Sequence, residues 1–282
     1  GYEPGTPATG RMVTALRLMG FDRIFDTNFG ADLTIVEEAH EFMRRLEKNE
    51  RLPLLTSCSP GWIKFMEHFY PELIPYASTC RSPMTMLSVL LKTYYAEKSG
   101  IDPKNIFMVA IMPCTAKKFE AKRPEHFTPY GAPYTDAVLT TRELIWMMKC
   151  YGIDFKHIGD SEFDNPLGVS TGAADLFGTT GGVMEAALRT AYEKITGKTC
   201  EKLDFVEVRG VEGVKESSIK IDGRVINVAV SNGLENAKHV LDKVESGEKQ
   251  YHMIEIMACT GGCIGGGGQP YPPPGLHIMD AS

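Results

Sequence analysis

No uninterrupted apolar stretch in this sequence approaches the ~18 residues of a membrane-spanning helix. The opening residues, Gly1-Tyr2-Glu3-Pro4-Gly5, lack the charged-then-apolar pattern of a secretory signal. No basic stripe is present, so nucleic acid is not an expected partner, and no long run of one charge marks a disordered tail. The net charge is −6, with both signs spread along the chain. There is no internal repeat and no low-complexity tract. An initiator Met is also missing, and the sequence stops just after a loop rich in proline (Pro270, Pro272, Pro273, Pro274). A fragment of a longer protein is the expectation. The seven cysteines are odd in number and irregularly spaced, which argues against a disulfide framework in a chain of this size. A reducing cytoplasm and metal-binding thiols fit better.

What is present is a chain of 282 residues, 43% hydrophobic, enough for one large core or two packed lobes. Its organising stretch runs from Glu255 to Pro270. There an apolar strand delivers Cys259 and Cys263, four residues apart, into a run dense in glycine. Without a Cβ, backbone packs close to a bulky inorganic group and points N–H groups at it. A Gly-rich loop with two buried cysteines is the plainer reading of this segment alone.

Periodicity predicts helices at Arg11–Met19, Ala31–Lys48, Trp62–Tyr70, Pro83–Lys98, Arg142–Cys150, Val183–Ile195 and Glu235–Val244. Thr141 is the expected cap of the fifth, and Leu33, Val36, Phe42 and Leu46 are expected core contacts of the second. Strands are expected at Arg23–Phe25, Leu52–Thr56, Ile106–Met112, Ala137–Leu139, Phe205–Val208, Ser218–Ile221, Val225–Val230 and Met253–Met257, with Asp222-Gly223 as a hairpin turn. The alternation implies an α/β fold: two lobes of mainly parallel sheet flanked by helices, with a site in the crevice between them. Residues 1–135 with part of the C-terminus would make one lobe and 136–270 the other.

Three expected strand ends carry cysteine: Cys58, Cys114 and the pair Cys259/Cys263. Side chains at the carboxyl ends of parallel strands converge. Four thiolates suit an iron–sulfur cubane, and zinc would also accept them, although paired hooks of cysteine are its usual source. Cys80, Cys150 and Cys200 have no motif around them and read as small core or surface residues.

The three segments together resemble the signatures of [FeFe]-hydrogenase catalytic domains. The family pattern T-S-C-C-P-x-W compares with Thr56 to Trp62. M-P-C-x-x-K-x-x-E is matched by Met112, Pro113, Cys114, Lys117 and Glu120. E-x-M-A-C-x-x-G-C-x-x-G-G-G-x-P is matched from Glu255 through Pro270. The resemblance implies reversible reduction of protons to H2 at an H-cluster, a [4Fe–4S] cubane joined to a two-iron unit carrying CO, cyanide and an azadithiolate. It implies Cys114, Cys259 and Cys263 as cubane ligands and Lys117 as a donor to cyanide. Met112, Pro113, Met257, Ala258, Phe177, Pro83 and Met84 would line the cofactor pocket, Met84 standing where the family commonly has Gln. A proton path would run through Cys58, Glu38, Ser78 and Glu41 to a surface arginine at Arg45. Glu38, Glu41 and Arg45 are spaced to share one helix face; a solvated charged face is the plainer alternative.

One departure is chemical. Where the family has two adjacent cysteines, this sequence has Cys58-Ser59, so Ser59 occupies the fourth ligand position and Cys58 the proton-path position. Either Ser59 ligates, or Cys58 does after a local shift, or the shell is incomplete. The resemblance further implies partners: ferredoxin-like iron–sulfur domains or subunits as electron donors, or a flavin and NAD(P)H-linked subunit. Two other readings of the same fold are a sensory H2-binding relative and a non-enzymatic iron–sulfur assembly protein of the Nar type.

Overall fold

The computed structural model describes residues 6–200, 206–207, 213–271 and 274–275. The elements in chain order are α1 (Thr9–Leu18), α2 (Thr27–Lys48), β1 (Leu54–Leu55), α3 (Pro60–Phe69), α4 (Pro83–Leu90) and α5 (Ala96–Ser99). A π-helical turn, Leu91–Tyr95, joins the last two. Then come β2 (Val109–Met112), α6 (Lys117–Glu120), β3 (Ala137–Thr140), α7 (Thr141–Cys150), α8 (Gly172–Phe177), α9 (Gly182–Thr196) and β4 (Val206–Glu207). The chain continues with β5 (Val214–Ile221), β6 (Arg224–Asn232), α10 (Leu234–Glu245) and β7 (Met253–Met257).

The larger sheet has the order β1-β7-β6-β5-β4. β7 is its pivot, running parallel to β1 on one side and to β6 on the other. The β4–β5–β6 edge is antiparallel. Asp222 and Gly223 both take positive φ, 46° and 80°, which is the geometry a two-residue hairpin requires and which glycine adopts without strain. The smaller sheet is the parallel pair β2–β3. The fold is therefore α/β, with parallel strands flanked by helices and an antiparallel edge on the larger sheet. The larger sheet takes strands from distant parts of the chain, whereas the smaller pairs two successive strands.

Successive side chains of a strand face opposite ways, and β7 uses both faces. Met253 packs with Phe42 of α2 and Met184 and Leu188 of α9. Ile254 and Ile256 pack with Trp62 and Met66 of α3 and Val240 and Leu241 of α10. Each such fully buried large side chain contributes about 1.5–3 kcal/mol relative to exposure. β2 is divided likewise: Ala110 and Met112 face Met84 of α4, while Ile111 faces Leu16 of α1 and Leu144 of α7. The helices fix the strands, and the carboxyl ends of β1, β2 and β7 open onto one crevice.

Several local expectations are corrected. Arg23–Phe25 is not a strand. Ile24 exchanges its backbone bonds with Asp164 instead: its N–H donates to the Asp164 carboxylate at 2.8 Å and its carbonyl accepts the Asp164 N–H at 2.7 Å. The cap of α7 is Thr140, not Thr141, in a reciprocal box with Glu143. α2 starts at Thr27, because the Asp26 side chain accepts the Asn28 N–H. Val36 is exposed; the buried stripe of α2 is Ala31, Ile35, Ala39 and Phe42. Of the strand expected at Phe205–Val208, only Val206 and Glu207 lie within the described residues.

Candidate active site

The crevice is a cavity of about 250 Å³. Every expected ligand and pocket residue lines it: Cys58, Ser59, Pro83, Met84, Met112, Pro113, Cys114, Lys117, Phe177, Met257, Ala258, Cys259 and Cys263. Thr27, Asn28, Ala31, Ile111 and Ala174 join them without having been expected. The lining is largely apolar, and Met84, Met112, Phe177 and Met257 are buried.

The cysteine loop after β7 is clamped from two sides. Cys263 donates its N–H to the Gly178 carbonyl at 2.8 Å, and Gly268 donates to the Pro113 carbonyl at 2.8 Å. Two glycines make this clamp possible. A Cβ on Gly262, whose φ is +81°, would lie 2.6 Å from the Gly178 oxygen. A Cβ on Gly266 would lie 2.2 Å from the Pro113 oxygen. The loop thus joins the end of β2, which carries Cys114, to the turn before α9.

A buried carboxylate supports that turn. Glu255 accepts the N–H groups of Gly181 and Met184, both at 2.7 Å, at the start of α9. Burial pushes its pKa up to about 7 against those donors. Glu120 plays the corresponding part behind Lys117. It accepts from Lys117 Nζ at 2.6 Å, from the Thr85 hydroxyl at 2.8 Å and from the Ser82 hydroxyl. Burial raises the Glu120 pKa, but Lys117 and the hydroxyls outweigh it and hold the group below its ordinary value. Burial acts to lower the Lys117 pKa; the Glu120 charge overcomes it, and the ammonium is held charged. Lys117 Nζ also donates to the Cys58 carbonyl at 3.0 Å.

Neither carboxylate was assigned a role from sequence. Each left a signal: Glu255 interrupts the apolar run Met253-Ile254-Glu255-Ile256-Met257, and Glu120 follows Lys117 at i+3.

Four residues of the expected proton path are buried. Glu38, Ser78, Glu41 and Arg45 are 2–6% exposed, so the solvated-face alternative does not hold for them, whereas Glu37 and Arg44 on the other face of α2 are exposed. Burial, with hydrogen bonding to Ser78 opposing it, pushes the Glu38 pKa up to about 7. Its Oε2 has no hydrogen-bond partner. Burial also acts to raise Glu41, but the Thr79 N–H and hydroxyl, each at 2.9 Å, and the Arg45 guanidinium at 2.7 Å hold it below its ordinary value. The Ser78 hydroxyl donates to Glu41 Oε2 at 3.3 Å. Burial first, then the nearby Glu38 charge, raises the Cys58 thiol well above its ordinary value.

Arg45 departs from expectation. It is a buried group, not a surface one, because its guanidinium is taken up by Glu41 and by the carbonyls of Arg51, Tyr76 and Ala77 at 2.8–2.9 Å. Cys80, read as a plain core or surface residue, sits beside this path. Its N–H donates to the Ser78 hydroxyl at 3.2 Å, and burial with the Glu38 charge pushes its thiol up to about 12.

Among the described residues, no three His, Cys, Asp or Glu side chains converge closely enough to hold a single metal ion. Cys114, Cys259 and Cys263 instead border the shared cavity and feel one another's charge. Burial raises the Cys259 and Cys263 thiols. The Gly267 N–H works against this at Cys259, and Lys117 does so at Cys263. Soft thiols around an apolar cavity, backbone packed to contact through glycine, and a charged ammonium at the rim fit an anionic iron–sulfur group.

Comparison with known proteins agrees with this geometry. The family described as "Iron only hydrogenase large subunit, C-terminal domain" matches residues 1–267. The NADP-reducing hydrogenase subunit HndD of Solidesulfovibrio fructosivorans is 52% identical over 96% of this chain. The periplasmic [Fe] hydrogenase large subunit of Nitratidesulfovibrio vulgaris is 50% identical over 99% of it. The chain spans 47% of the first of these and 67% of the second. A structure of apo [FeFe]-hydrogenase HydA1 from Chlamydomonas reinhardtii superposes with a TM-score of 0.90 at 44% identity, covering all of this chain and 78% of that one. A cytosolic Fe-S cluster assembly factor of Danio rerio is more distant, at 30% identity over 96% of the chain and 68% of its own length. The chain belongs to the family of the iron-only hydrogenase large subunit, C-terminal domain.

Proposed function

We propose that this chain is the catalytic part of an [FeFe]-hydrogenase and reversibly reduces protons to H2. The observation that carries the reading is the convergence, at one apolar cavity, of three cysteines, a charged lysine and the inner end of a buried acid path. Cys114, Cys259 and Cys263 would hold the cubane of an H-cluster, with Ser59 at the fourth position. Lys117 would offer its ammonium to an anionic ligand of the two-iron unit, an ammonium being a compact donor. Met112, Pro113, Met257, Ala258, Phe177, Pro83 and Met84 would wall the pocket and exclude water. When bound, the H-cluster would supply the metal centre for proton reduction and pass on the electrons that a partner delivers.

The chain's own part is to move protons. Glu38, with a pKa of about 7, exchanges a proton readily near neutral pH. The Cys58 thiol, raised by burial and the Glu38 charge, stays protonated until it hands its proton inward. Ser78 both donates and accepts, and it connects Glu38 with Glu41. Arg45 anchors Glu41 through its guanidinium.

Electrons are proposed to arrive from ferredoxin-like iron–sulfur domains or subunits, or from a flavin and NAD(P)H-linked subunit; the HndD relative is named as NADP-reducing. None of the seven cysteines is in a disulfide, which suits a reducing compartment such as the cytoplasm, although one relative is named periplasmic. No helix among the described residues is long and apolar enough to cross a membrane. The sensory and assembly alternatives are disfavoured by the complete acid path and the paired Lys117.

Anaerobic co-expression with a maturation system, followed by H2 measurement with reduced viologen, tests the reading. H2 evolution that collapses in Glu38→Gln is expected. Absence of H2 from a chain shown to carry iron and CO ligands would overturn it.

A further inference from the structure

Resting on that reading, we infer that this chain holds its cubane on three thiolates, Cys114, Cys259 and Cys263, and that the corner facing Ser59 is labile. The backbone between β1 and α3 separates the roles of Cys58 and Ser59. Ser59 is extended, with φ −95° and ψ 106°. In extended chain, neighbouring side chains point to opposite sides. Cys58 packs with Ala31, Ile35, Phe177 and Met257, toward α2, α8 and the acid path. Ser59 borders the same cavity as the three cysteines.

The register is pinned at every residue from Thr56 to Ser59. The Thr56 carbonyl accepts from Trp62 Nε1 at 3.0 Å, the Ser57 hydroxyl donates to the Cys80 carbonyl at 2.6 Å, and the Cys58 carbonyl accepts from Lys117. The Ser59 carbonyl accepts from the Ile63 N–H at 3.0 Å, and Pro60 begins the helix. A one-residue slip that brought Cys58 to the cluster would break all four contacts. Cys58 therefore stays with the protons, and the fourth position has only a hydroxyl.

That hydroxyl stands at the N-cap of α3, where serine ordinarily bonds the second or third N–H of the helix. Here it makes no such bond. Ser59 lines the cavity, but its oxygen is a hard donor and a poor substitute for thiolate on a cluster iron. The iron at that corner is the least firmly held of the four. A one-electron oxidant should remove it, converting [4Fe–4S]²⁺ into [3Fe–4S]⁺, Fe²⁺ and one electron, with the electron passing to the oxidant.

The experiment uses the full chain reconstituted anaerobically with iron and sulfide alone, without the two-iron unit, so catalysis plays no part. Ferricyanide is added at one equivalent. Iron per chain and the electron paramagnetic resonance spectrum are recorded for the parent, Ser59→Cys and Cys58→Ser. The parent is expected to lose one iron in four and to show the signal of an oxidised three-iron cluster. Ser59→Cys should keep all four, and Cys58→Ser should behave as the parent does. A parent as resistant as Ser59→Cys, or a Cys58→Ser chain that loses its whole cluster, would overturn the inference while leaving the cluster reading standing. A Ser59→Cys chain that folds but takes up no iron would remove the cluster reading and the inference together.

Discussion

Replacing Glu38 by glutamine should stabilise the protein and disable it in one step. Glu38 is 2% exposed, its Oε2 has no partner, and burial raises its pKa from 4.5 to about 7. A group with a raised carboxyl pKa binds its proton more tightly folded than unfolded. Its contribution is therefore neutral below about pH 4.5, grows unfavourable as pH rises from there to about 7, and is constant above that. At 1.36 kcal/mol per unit, the full shift corresponds to about 3 kcal/mol at pH 8. Glutamine keeps the shape and removes the charge. Denaturant unfolding of the cofactor-free chain, followed from pH 5 to pH 8, should show the two proteins diverging, with Glu38→Gln ahead by about 2–3 kcal/mol at pH 8. Glu255 has a similar shift but is present in both chains, so it cancels in the difference. H2 evolution should meanwhile fall by about 10²–10⁴-fold, the usual loss when a positioned acid–base group is removed. A difference that does not grow with pH, or a less stable Glu38→Gln at pH 8, would refute the assignment of a raised, unpartnered carboxyl.

Arg45→Met should cost about 3–5 kcal/mol in unfolding free energy, because it leaves the buried Glu41 charge without its partner; an effect below 1 kcal/mol would show that the pair is not structural. Lys117→Met should cost a similar amount near neutral pH, about 3–5 kcal/mol, by stranding Glu120. Glu120 has a lowered pKa in the parent, so its stabilisation is present above about pH 4.5 and is lost as pH falls through the folded value. The gap between the two proteins should therefore narrow in acid. Gly262→Ala should lose at least the ~1–2 kcal/mol of a left-handed residue. Its Cβ would also press on the Gly178 oxygen, so iron uptake on reconstitution should fall as the cysteine loop is displaced.

Much of the site was legible because its chemistry lies on regular elements. The apolar runs of β1 and β2 are short and uninterrupted, that of β7 is broken only by Glu255, and each ends directly in a cysteine segment. The i, i+3, i+7 spacing of Glu38, Glu41 and Arg45 placed them on one face of α2. Spacing alone did not say that the face is buried; that depends on Ser78, Thr79 and the carbonyls around Arg45, which come from another part of the chain. The same limit applies at Ile24, where a distant aspartate replaces a neighbouring strand, and at Val36, which lies just off the stripe that α9 covers. The antiparallel edge was legible in its hairpin, where the expected strands Ser218–Ile221 and Val225–Val230 flank the Asp222-Gly223 turn. The supporting carboxylates Glu120 and Glu255 were present in the motifs but not interpretable, since their partners are backbone N–H groups and hydroxyls that only the fold brings near.

The central claim is that these residues together seat an H-cluster able to respond to H2. The most direct measurement is the infrared spectrum of the anaerobically matured chain in the CO and cyanide stretching region, where protein groups do not absorb. Sharp bands that shift on exposure to H2 are predicted. A chain that carries its cubane iron but shows no such bands would contradict the account.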